Sequence, residues 1–357
     1  MPKRFPVLPI VAIAIAALFA SAALAATSEL PRVVILATGG TIAGAQPKEG
    51  DPGYKAGAVS VESLIQAAPG VDKLARLEGE QIASIGSQDM NDAVWFKLAR
   101  RANELLAKAD IAGIVVTHGT DTLEETGFFL DLVLKSDKPV VLVGSMRPAT
   151  STSPDGPLNL YNAVAVAADP AARGLGVLVV VNDDLHAARD IQKTNTTDVQ
   201  TFTSPNRGQL GEAYYGKTRY FNKPTNRHTT ASEFSLDGLS ALPRVDIVYA
   251  HENADGALVR AAVAAGAKGI VLAGVGDGNA TKDMIDALGE AAKKGTVVVR
   301  STRVGSGIVR RNIELNDDAL GFVSTMELNP QKARILLRMA LTKTKDVNQI
   351  QGYFGAY

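Results

Sequence analysis

The chain has 357 residues, and its 37 Lys and Arg residues equal its 37 Asp and Glu residues, a balance that gives no sign of a nucleic-acid partner or of an acidic membrane surface. It has no cysteine, which excludes disulfides, thiolate catalysis and cysteine-ligated metals. Its 4 histidines are far apart and form no His-Glu-x-x-His motif, so no metal site is predicted.

The N-terminus has the pattern of a secretory signal peptide. Lys3 and Arg4 precede an apolar stretch over residues 7–20, and residues 23–25 (Ala-Leu-Ala) give a small-x-small cleavage pattern. Cleavage after Ala25 would release an exported protein with no membrane association. A retained membrane anchor is the alternative, although the apolar stretch is short for a bilayer.

From Pro31 onward, strand-like and helix-like segments alternate, as in a parallel sheet with crossover helices. The first part predicts strands over residues 33–37, 81–85, 113–117, 139–144 and 174–181, and helices over 91–107 and 122–135. A polar stretch over residues 218–243, with prolines but no helical period, predicts an interdomain connection. The alternation then resumes, with strands over 245–250, 269–273 and 296–300 and helices over 255–265, 281–294 and 330–342.

Residues 211–218 (GEAYYGKT) match the phosphate-loop pattern G-x-x-x-x-G-K-[ST]. That motif requires a buried strand before the loop and a helix after it. Here a Pro-Asn-Arg-Gly turn precedes the match, "RYFNKP" follows it, and two tyrosines occupy the part of the loop that would wrap around phosphate. No nucleotide site is therefore predicted.

A threonine at the end of the first buried strand is the first candidate for chemistry. In "VVILATGGTIAG", the strand runs into Gly39 and Gly40 and then Thr41. Ligands of α/β folds bind at the carboxyl ends of parallel strands, and the two glycines allow close approach to the main chain and leave backbone N–H groups for an oxyanion. The alternative is a simple turn in which Thr41 caps a helix.

Further polar clusters follow later strands: "GSQD" at residues 86–89, "THGTDT" at 117–122 and "KTNTTD" at 193–198. The helix after "GSQD" would offer its N-terminal N–H groups to a carboxylate. A threonine hydroxyl becomes a nucleophile only when a base takes its proton, and Thr120, Asp121 and Lys193 supply a hydroxyl, an orienting carboxylate and a base. The alternative is that Thr120 and Asp121 cap the next helix and that Lys193 is a surface charge.

These motifs resemble those of the type II L-asparaginases, the exported members of the bacterial asparaginase/glutaminase family. The resemblance covers nearly everything after the signal peptide. It is carried, in the family's order, by "ATGGTIAG", "GSQDMND", "VTHGTDTLEET", "VGSMRP", "DGPLNLYNAV", "KTNTTD" and "LNPQKAR".

The resemblance implies a periplasmic homotetramer, built as a dimer of intimate dimers, that needs no cofactor and no metal. It would hydrolyse the side-chain amide of L-asparagine to L-aspartate and ammonia. The predicted fold class is α/β with two domains: a larger N-terminal domain over residues 30–221 with a mostly parallel, flavodoxin-like sheet, and a smaller C-terminal parallel-sheet domain over residues 244–357. Residues 222–243 would be the linker.

The same resemblance implies a role for each residue that matches a family motif. Thr41 matches the nucleophile in a mobile loop, and Tyr54 matches the tyrosine that helps to activate it. The second catalytic group would be Thr120, Asp121 and Lys193. The residues implied in substrate binding are Gly40, Ser87, Gln88, Thr120, Asp121 and, from the neighbouring subunit, Asn279 and Glu314.

The chain departs from the family at one of these motifs. Where the family often has Gly-Asn-Gly-Asn, this chain has Asp277 in the second position, two residues before Asn279, which raises a question about the hydrogen bonding near Asn279.

Two alternatives in function remain open from the sequence. One is a glutaminase-asparaginase with comparable activity on L-glutamine: "GSQD" favours asparaginase, whereas "RNIE" at residues 311–314 resembles the dual-specificity branch. The other is an exported amino-acid-binding protein of two α/β domains, which would have no use for Thr41, Tyr54 and Lys193 at one point.

Overall fold

Five parallel strands, ending at the edge strand β2, form one side of the eight-stranded larger sheet in the computed structural model, which describes residues 1, 29–48 and 53–357. The signal-peptide prediction for residues 1–25 thus lies outside the described residues, apart from Met1. The strands lie in the spatial order β2-β1-β3-β4-β5 and pair in parallel. Their bounds are β1 Arg32–Gly39, β2 Arg76–Ile85, β3 Ile111–Thr117, β4 Val140–Val143 and β5 Val177–Val181.

Helices cover both faces of this sheet, as the continuous apolar strands require. Alternate residues of β1 enter opposite cores: Val34 and Leu36 pack into one, and Val33 and Ile35 into the other. The helices of this part of the chain are α1 Val61–Gln66, α2 Asp92–Leu106, α3 Leu123–Val133 and α4 Gly156–Ala168.

Three antiparallel strands extend the sheet beyond β5, in the order β5-β6-β9-β10. The bounds are β6 Asp184–Ala187, β9 Gly211–Tyr214 and β10 Lys217–Tyr220, and a separate two-stranded ribbon pairs β7 Gln192–Lys193 with β8 Phe202–Thr203. The β9–β10 hairpin occupies residues 211–220, so the phosphate-loop match has the wrong local structure, as predicted. The interdomain connection starts later than the predicted residue 218, because residues 218–220 belong to β10.

A second, four-stranded sheet is entirely parallel, in the order β11-β12-β13-β14. Its strands are β11 Val245–Tyr249, β12 Gly269–Gly274, β13 Val297–Thr302 and β14 Phe322–Ser324, and its helices are α5 Ala257–Ala264, α6 Lys282–Lys293, α7 Asp317–Leu320, α8 Pro330–Ala340 and α9 Val347–Ala356. The predicted fold class, two α/β domains of which the first has a mostly parallel sheet, is confirmed. Within the described residues, no helix combines the length and apolar character needed to cross a bilayer.

A buried carboxyl group ties α3 to the larger sheet. Asp131 is 7% exposed, and its Oδ1 accepts a hydrogen bond of 2.7 Å from the backbone N–H of Val177 in β5. Burial raises the pKa of Asp131 from 3.8 to about 7, because a carboxylate is poorly solvated in the core. The folded chain therefore holds this proton more tightly than the unfolded chain does.

We expect Asp131→Asn to stabilise the protein in a pH-dependent way. The raised pKa means that wild-type stability falls as pH rises from about 3.8 to about 7. Asparagine keeps the oxygen acceptor but cannot ionise, so the variant should be the more stable protein at pH 8, by on the order of a few kcal/mol. This advantage should shrink towards pH 4. Urea unfolding at both pH values measures it, and a difference that is constant with pH would contradict the assignment.

Candidate active site

The loops that follow β1 and β3 touch through two glycines. Gly40 has a φ of 80°, and a Cβ built on it would lie 2.2 Å from the backbone nitrogen of Gly119. Beside this contact, the Thr38 hydroxyl donates to the carbonyl oxygen of Thr117 at 2.9 Å. The close approach sets two single-turn 3₁₀ helices, Thr41–Ala43 and Thr120–Thr122, at the same edge of the sheet.

Thr41 is paired with Tyr54. The Thr41 side chain is buried, and its Oγ1 lies 2.8 Å from the Tyr54 hydroxyl oxygen. An antiparallel bridge between Ala45 and Lys55 places Tyr54 over the loop, and Gly44 leaves room for its ring, since a Cβ there would lie 2.8 Å from Cδ2. The N-cap of this turn is Gly40, and the Thr41 hydroxyl is hydrogen-bonded to Tyr54 instead, so the interpretation of Thr41 as a simple helix cap is wrong.

Lys193 joins the second threonine to a carboxylate. Its Nζ donates to Thr120 Oγ1 at 3.0 Å and to Asp121 Oδ1 at 2.6 Å. Lys193 ends strand β7, and its pairing with Phe202 of β8 fixes where its side chain starts. The lysine side chain is only 18% exposed, whereas that of Asp121 is 58% exposed. The N-caps of the 3₁₀ turn and of α3 are Gly119 and Thr122, and neither has a side-chain capping bond. The alternative assignment of Lys193 to the surface and of Thr120 and Asp121 to helix capping is therefore wrong.

The end of strand β2 supplies a third part of the same cluster. Ser87 is buried; its Oγ accepts from the backbone N–H of Asp121 at 3.2 Å, and its carbonyl accepts from the Thr122 hydroxyl at 2.8 Å. Gln88 is exposed and folds back over Gly86. The N-terminus of α2 is closed by Asn91, whose side chain accepts from the N–H of Val94. The start of α2 is thus capped by a side chain of its own, and the Ser87 turn lies against Asp121 and Thr122.

The backbone of Gly40 is already engaged, which corrects one expectation. Its N–H donates to Ile85 O at 2.9 Å, and its carbonyl accepts from the N–H of Gly57 at 3.1 Å. The Gly40 N–H is therefore not available to an oxyanion. Thr41 begins its 3₁₀ turn, where the first N–H groups have no partner within the helix, so its own N–H is the better placed donor. The role of Gly40 is to permit the contact with Gly119.

Asn279 and Glu314 lie together in the C-terminal part of the chain. Asn279 Nδ2 donates to Glu314 Oε2 at 3.2 Å. Among the described residues, no hydrogen bond connects this pair to Thr41, Thr120 or Lys193 of the same chain. The substituted Asp277 accepts from the N–H of Arg310 through Oδ1 at 2.8 Å, so the departure from the family sequence keeps a hydrogen-bond acceptor at this position.

His118 lies beside the cluster and takes no part in it. Its Nδ1–H donates to Gly119 O at 2.7 Å, and its Nε2 is buried without a partner. Burial lowers its pKa to about 4, so the ring is neutral near pH 7. It supports the turn that leads to Thr120.

The sequence did not point to a buried ionic contact beneath the cluster. Lys332 of α8 donates to the carbonyl of Ile191, two residues before Lys193, and its Nζ lies 3.9 Å from Glu124 Oε2. Gln331 donates to Glu124 Oε1 at 2.6 Å. Lys332 belongs to the motif "LNPQKAR", which supports the family resemblance but does not show where the lysine points. A lysine in an amphipathic helix is ordinarily assigned to the solvent face. Only the tertiary structure shows that it is buried.

Comparison with known proteins agrees with this geometry. The family model described as "Asparaginase, N-terminal" matches residues 32–226, and "Glutaminase/Asparaginase C-terminal domain" matches residues 244–354. The chain is 52% identical to a probable periplasmic L-asparaginase of Haemophilus influenzae, over 93% of this chain and 94% of that protein. It is 46% identical to a glutaminase-asparaginase of Pseudomonas fluorescens biotype A, over 92% and 91%. The crystal structure of a probable cytoplasmic L-asparaginase from Campylobacter jejuni has a TM-score of 0.89 at 47% identity and covers 92% of this chain and 100% of that one.

We expect Gly40→Ala to separate the two threonine turns and lower kcat by about 100-fold, since misplacements of about 1 Å can have that effect. Gly174→Ala is a matched control, because its φ of 73° is similar but nothing lies within 4 Å of a Cβ built there. The control should lose some stability and keep its kcat. Steady-state kinetics and thermal melts of both variants measure this. A Gly40→Ala enzyme with normal turnover would show that the contact does not align the threonines.

Proposed function

The chain belongs to the asparaginase family, and we propose that it is an exported amidohydrolase that cleaves the side-chain amide of L-asparagine with Thr41 as nucleophile. The observation that carries the proposal is the pair of buried threonine hydroxyls at one sheet edge, each bonded to a different partner: Thr41 to Tyr54 and Thr120 to Lys193. Family membership leaves no support for the alternative of an amino-acid-binding protein.

In the first step, the Thr41 oxygen adds to the side-chain amide carbon. The Tyr54 oxygen, 2.8 Å away, takes the threonine proton while the tyrosine passes its own proton to the leaving nitrogen. The C–N bond breaks, ammonia leaves, and an ester forms on Thr41. Water then cleaves this ester, which releases aspartate and restores the threonine hydroxyl.

Thr120 and Lys193 act on the same carbonyl group. Since Thr120 Oγ1 accepts a hydrogen bond from Lys193, its own proton is free to point elsewhere. We assign that proton to the oxyanion that forms when Thr41, or later water, adds to the carbonyl. In this proposal Lys193 acts as an ammonium and not as the base that the sequence suggested. It strengthens the Thr120 donor, and Asp121 holds it in place.

Residues that bind the α-carboxylate and the α-ammonium of the substrate select for a free amino acid. Ser87 and Gln88 face the α-carboxylate, and Asp121 and Glu314 meet the α-ammonium. Asn279 and Glu314 reach the site from a neighbouring subunit, in a homotetramer made of two intimate dimers. The 3.2 Å hydrogen bond between Asn279 and Glu314 holds the two side chains together.

The proposal includes export and the domain boundaries. Residues 1–25 are a signal peptide that directs the protein to the periplasm. Residues 30–221 form the catalytic domain and residues 244–357 the C-terminal domain. The gap between strand β10, which ends at Tyr220, and strand β11, which starts at Val245, supports a linker over residues 222–243.

Glutamine is the second candidate substrate, supported by the similarity to glutaminase-asparaginases. It has one more methylene than asparagine, and a pocket discriminates such a difference by only about 1–3 kcal/mol. The ratio of kcat/KM for asparagine to that for glutamine therefore decides between an asparaginase and a dual-specificity enzyme.

We expect the purified chain to release ammonia from L-asparagine, and each of Thr41→Ala, Thr120→Val and Lys193→Met to lower kcat by orders of magnitude while the fold is kept. A nucleophile and the donors that stabilise an oxyanion each typically contribute several kcal/mol to lowering the barrier. Ammonia release and circular dichroism of each variant measure this. Near-normal turnover of Thr41→Ala would reject its role as nucleophile, and no hydrolysis by the wild type would reject the function.

We expect a chain with Thr41→Ala and a chain with Glu314→Ala, each poorly active alone, to restore activity together. In a mixed intimate dimer, one site combines the intact Thr41 with the intact Glu314, and the other carries both changes. Co-expression with two affinity tags isolates the mixed species, which should recover about half of wild-type activity by counting sites under two-fold symmetry. No recovery in verified mixed dimers would place the whole site in one subunit.

A further inference from the structure

Arg300, on strand β13 of the smaller sheet, is the largest fully buried side chain in the described part of the protein. It forms an ion pair with Asp317 in which both side chains are 0% exposed, with Nε donating to Oδ1 at 2.6 Å and Nη2 donating to Oδ2 at 2.7 Å. Buried ion pairs are often no more stabilising than well-packed apolar side chains. Stability alone therefore does not explain this pair.

The remaining donors of the guanidinium go to two loops. Nη1 donates to the carbonyls of Asp277 at 2.9 Å and of Gly278 at 3.1 Å, and Nη2 donates to the carbonyl of Arg310 at 3.1 Å. An arginine has five N–H donors, so all five have acceptors. The first loop leads directly into Asn279, and the second leads into Glu314.

Two carboxylates complete the connection between the loops. Asp317 Oδ2 also accepts from the N–H of Asn312 at 2.8 Å, in the loop that carries Glu314. Asp277 Oδ1 accepts from the N–H of Arg310 at 2.8 Å, which ties the first loop directly to the second. Gly278 has a φ of 76°, and a Cβ built there would lie 2.9 Å from Arg300 Nη1, so the backbone can approach the guanidinium only because this residue is glycine.

We propose that Arg300 is a positioning residue that fixes the loop of Asn279 against the loop of Glu314, so that the two side chains enter the neighbouring subunit's active site in one geometry. This inference rests on the proposed function, in which Asn279 and Glu314 complete a site in trans. Arg300 touches no substrate. It acts through three carbonyl contacts that a lysine, with a single nitrogen, cannot reproduce together.

The decisive experiment places Arg300→Lys in one of two complementation groups. Its mixed dimer with Thr41→Ala keeps one site with an intact Thr41 and intact loops from the other chain, so activity should return to about half of wild type by counting sites. In its mixed dimer with Glu314→Ala, one site receives the loops of the Arg300→Lys chain and the other receives the loops that lack Glu314. Both sites are therefore impaired, and no activity should return. A defect confined to Arg300's own site would give the reverse pattern.

Alone, Arg300→Lys should lower kcat/KM for asparagine by roughly 100-fold, the size expected for a misplacement of about 1 Å. Arg338→Lys is the matched control: Arg338 is 6% exposed and forms the same two-pronged contact, with Asp92 at 2.9 and 2.5 Å, but it bonds to neither loop. The control should keep kcat/KM within a few fold of wild type. Normal kinetics of Arg300→Lys would overturn the proposal.

A milder pair of variants decides the matter if Arg300→Lys does not fold. Asp277→Ala removes only the side-chain acceptor of the Arg310 N–H, and should lower kcat/KM and behave like Arg300→Lys in the mixed dimers. Asp277→Asn keeps an oxygen acceptor there and should restore wild-type kinetics. Equal kinetics of the two variants would overturn the proposal.

The reference pair separates this proposal from the proposed function. Suppose that Thr41→Ala and Glu314→Ala complement each other. If Arg300→Lys then complements Glu314→Ala, or complements neither chain, the positioning role of Arg300 is overturned and the shared site is retained. If the reference pair fails to complement, the shared site is overturned and the positioning role falls with it.

Discussion

The arrangement of the candidate site depends on the absence of two side chains. Gly40 and Gly119 pass so closely that any Cβ on Gly40 would overlap the Gly119 backbone. Because β1 and β3 are adjacent and parallel, their carboxyl ends already meet at one edge of the sheet. The contact between Gly40 and Gly119 brings the two following loops together, so that the turns of Thr41 and Thr120 lie at this same edge. A Cβ on Gly119 would in turn lie 2.6 Å from Ser87 Oγ and 3.0 Å from Gly40 Cα, so neither position accepts a side chain without a shift of its neighbours.

Local sequence patterns predict most of the fold because the central strands are continuous apolar segments and the helices between them are amphipathic. The same patterns miss β6, β9 and β10, because each strand has only four residues and carries at least one charged side chain. The predicted connection over residues 218–243 therefore includes residues 218–220, which belong to β10. The site is different. Lys193 lies more than 70 residues from Thr120, and nothing local in "KTNTTD" distinguishes a buried lysine from a surface one. The residue types suggested a group of Thr120, Asp121 and Lys193 but left a surface lysine as the alternative, and the family resemblance favoured the group.

The buried charges show a second limit of sequence reasoning. Lys332 and Arg300 lie in elements whose pattern predicts an ordinary helix and an ordinary strand, yet both side chains are almost completely inaccessible. Each donates to the backbone of a segment that carries candidate site residues: Lys332 to the Ile191 carbonyl, two residues before Lys193, and Arg300 to the loops of Asn279 and Glu314. Loops have few regular hydrogen bonds of their own, so a buried cationic side chain with several N–H donors supplies order that a strand or helix would otherwise provide.

The different partners of the two threonines favour different roles for them. Thr120 Oγ1 accepts a hydrogen bond from the Lys193 ammonium, which withdraws electron density from the oxygen and makes it a weaker nucleophile but a stronger donor. Thr41 Oγ1 has a neutral hydroxyl partner in Tyr54, which can accept its proton without a charged group beside the attacking oxygen. In the proposed mechanism, Lys193 and Thr120 stabilise negative charge on the substrate oxygen, and that charge appears only after another group has attacked. The geometry therefore favours Thr41 as the nucleophile and Thr120, held by Lys193, as the group that stabilises the oxyanion formed by its attack.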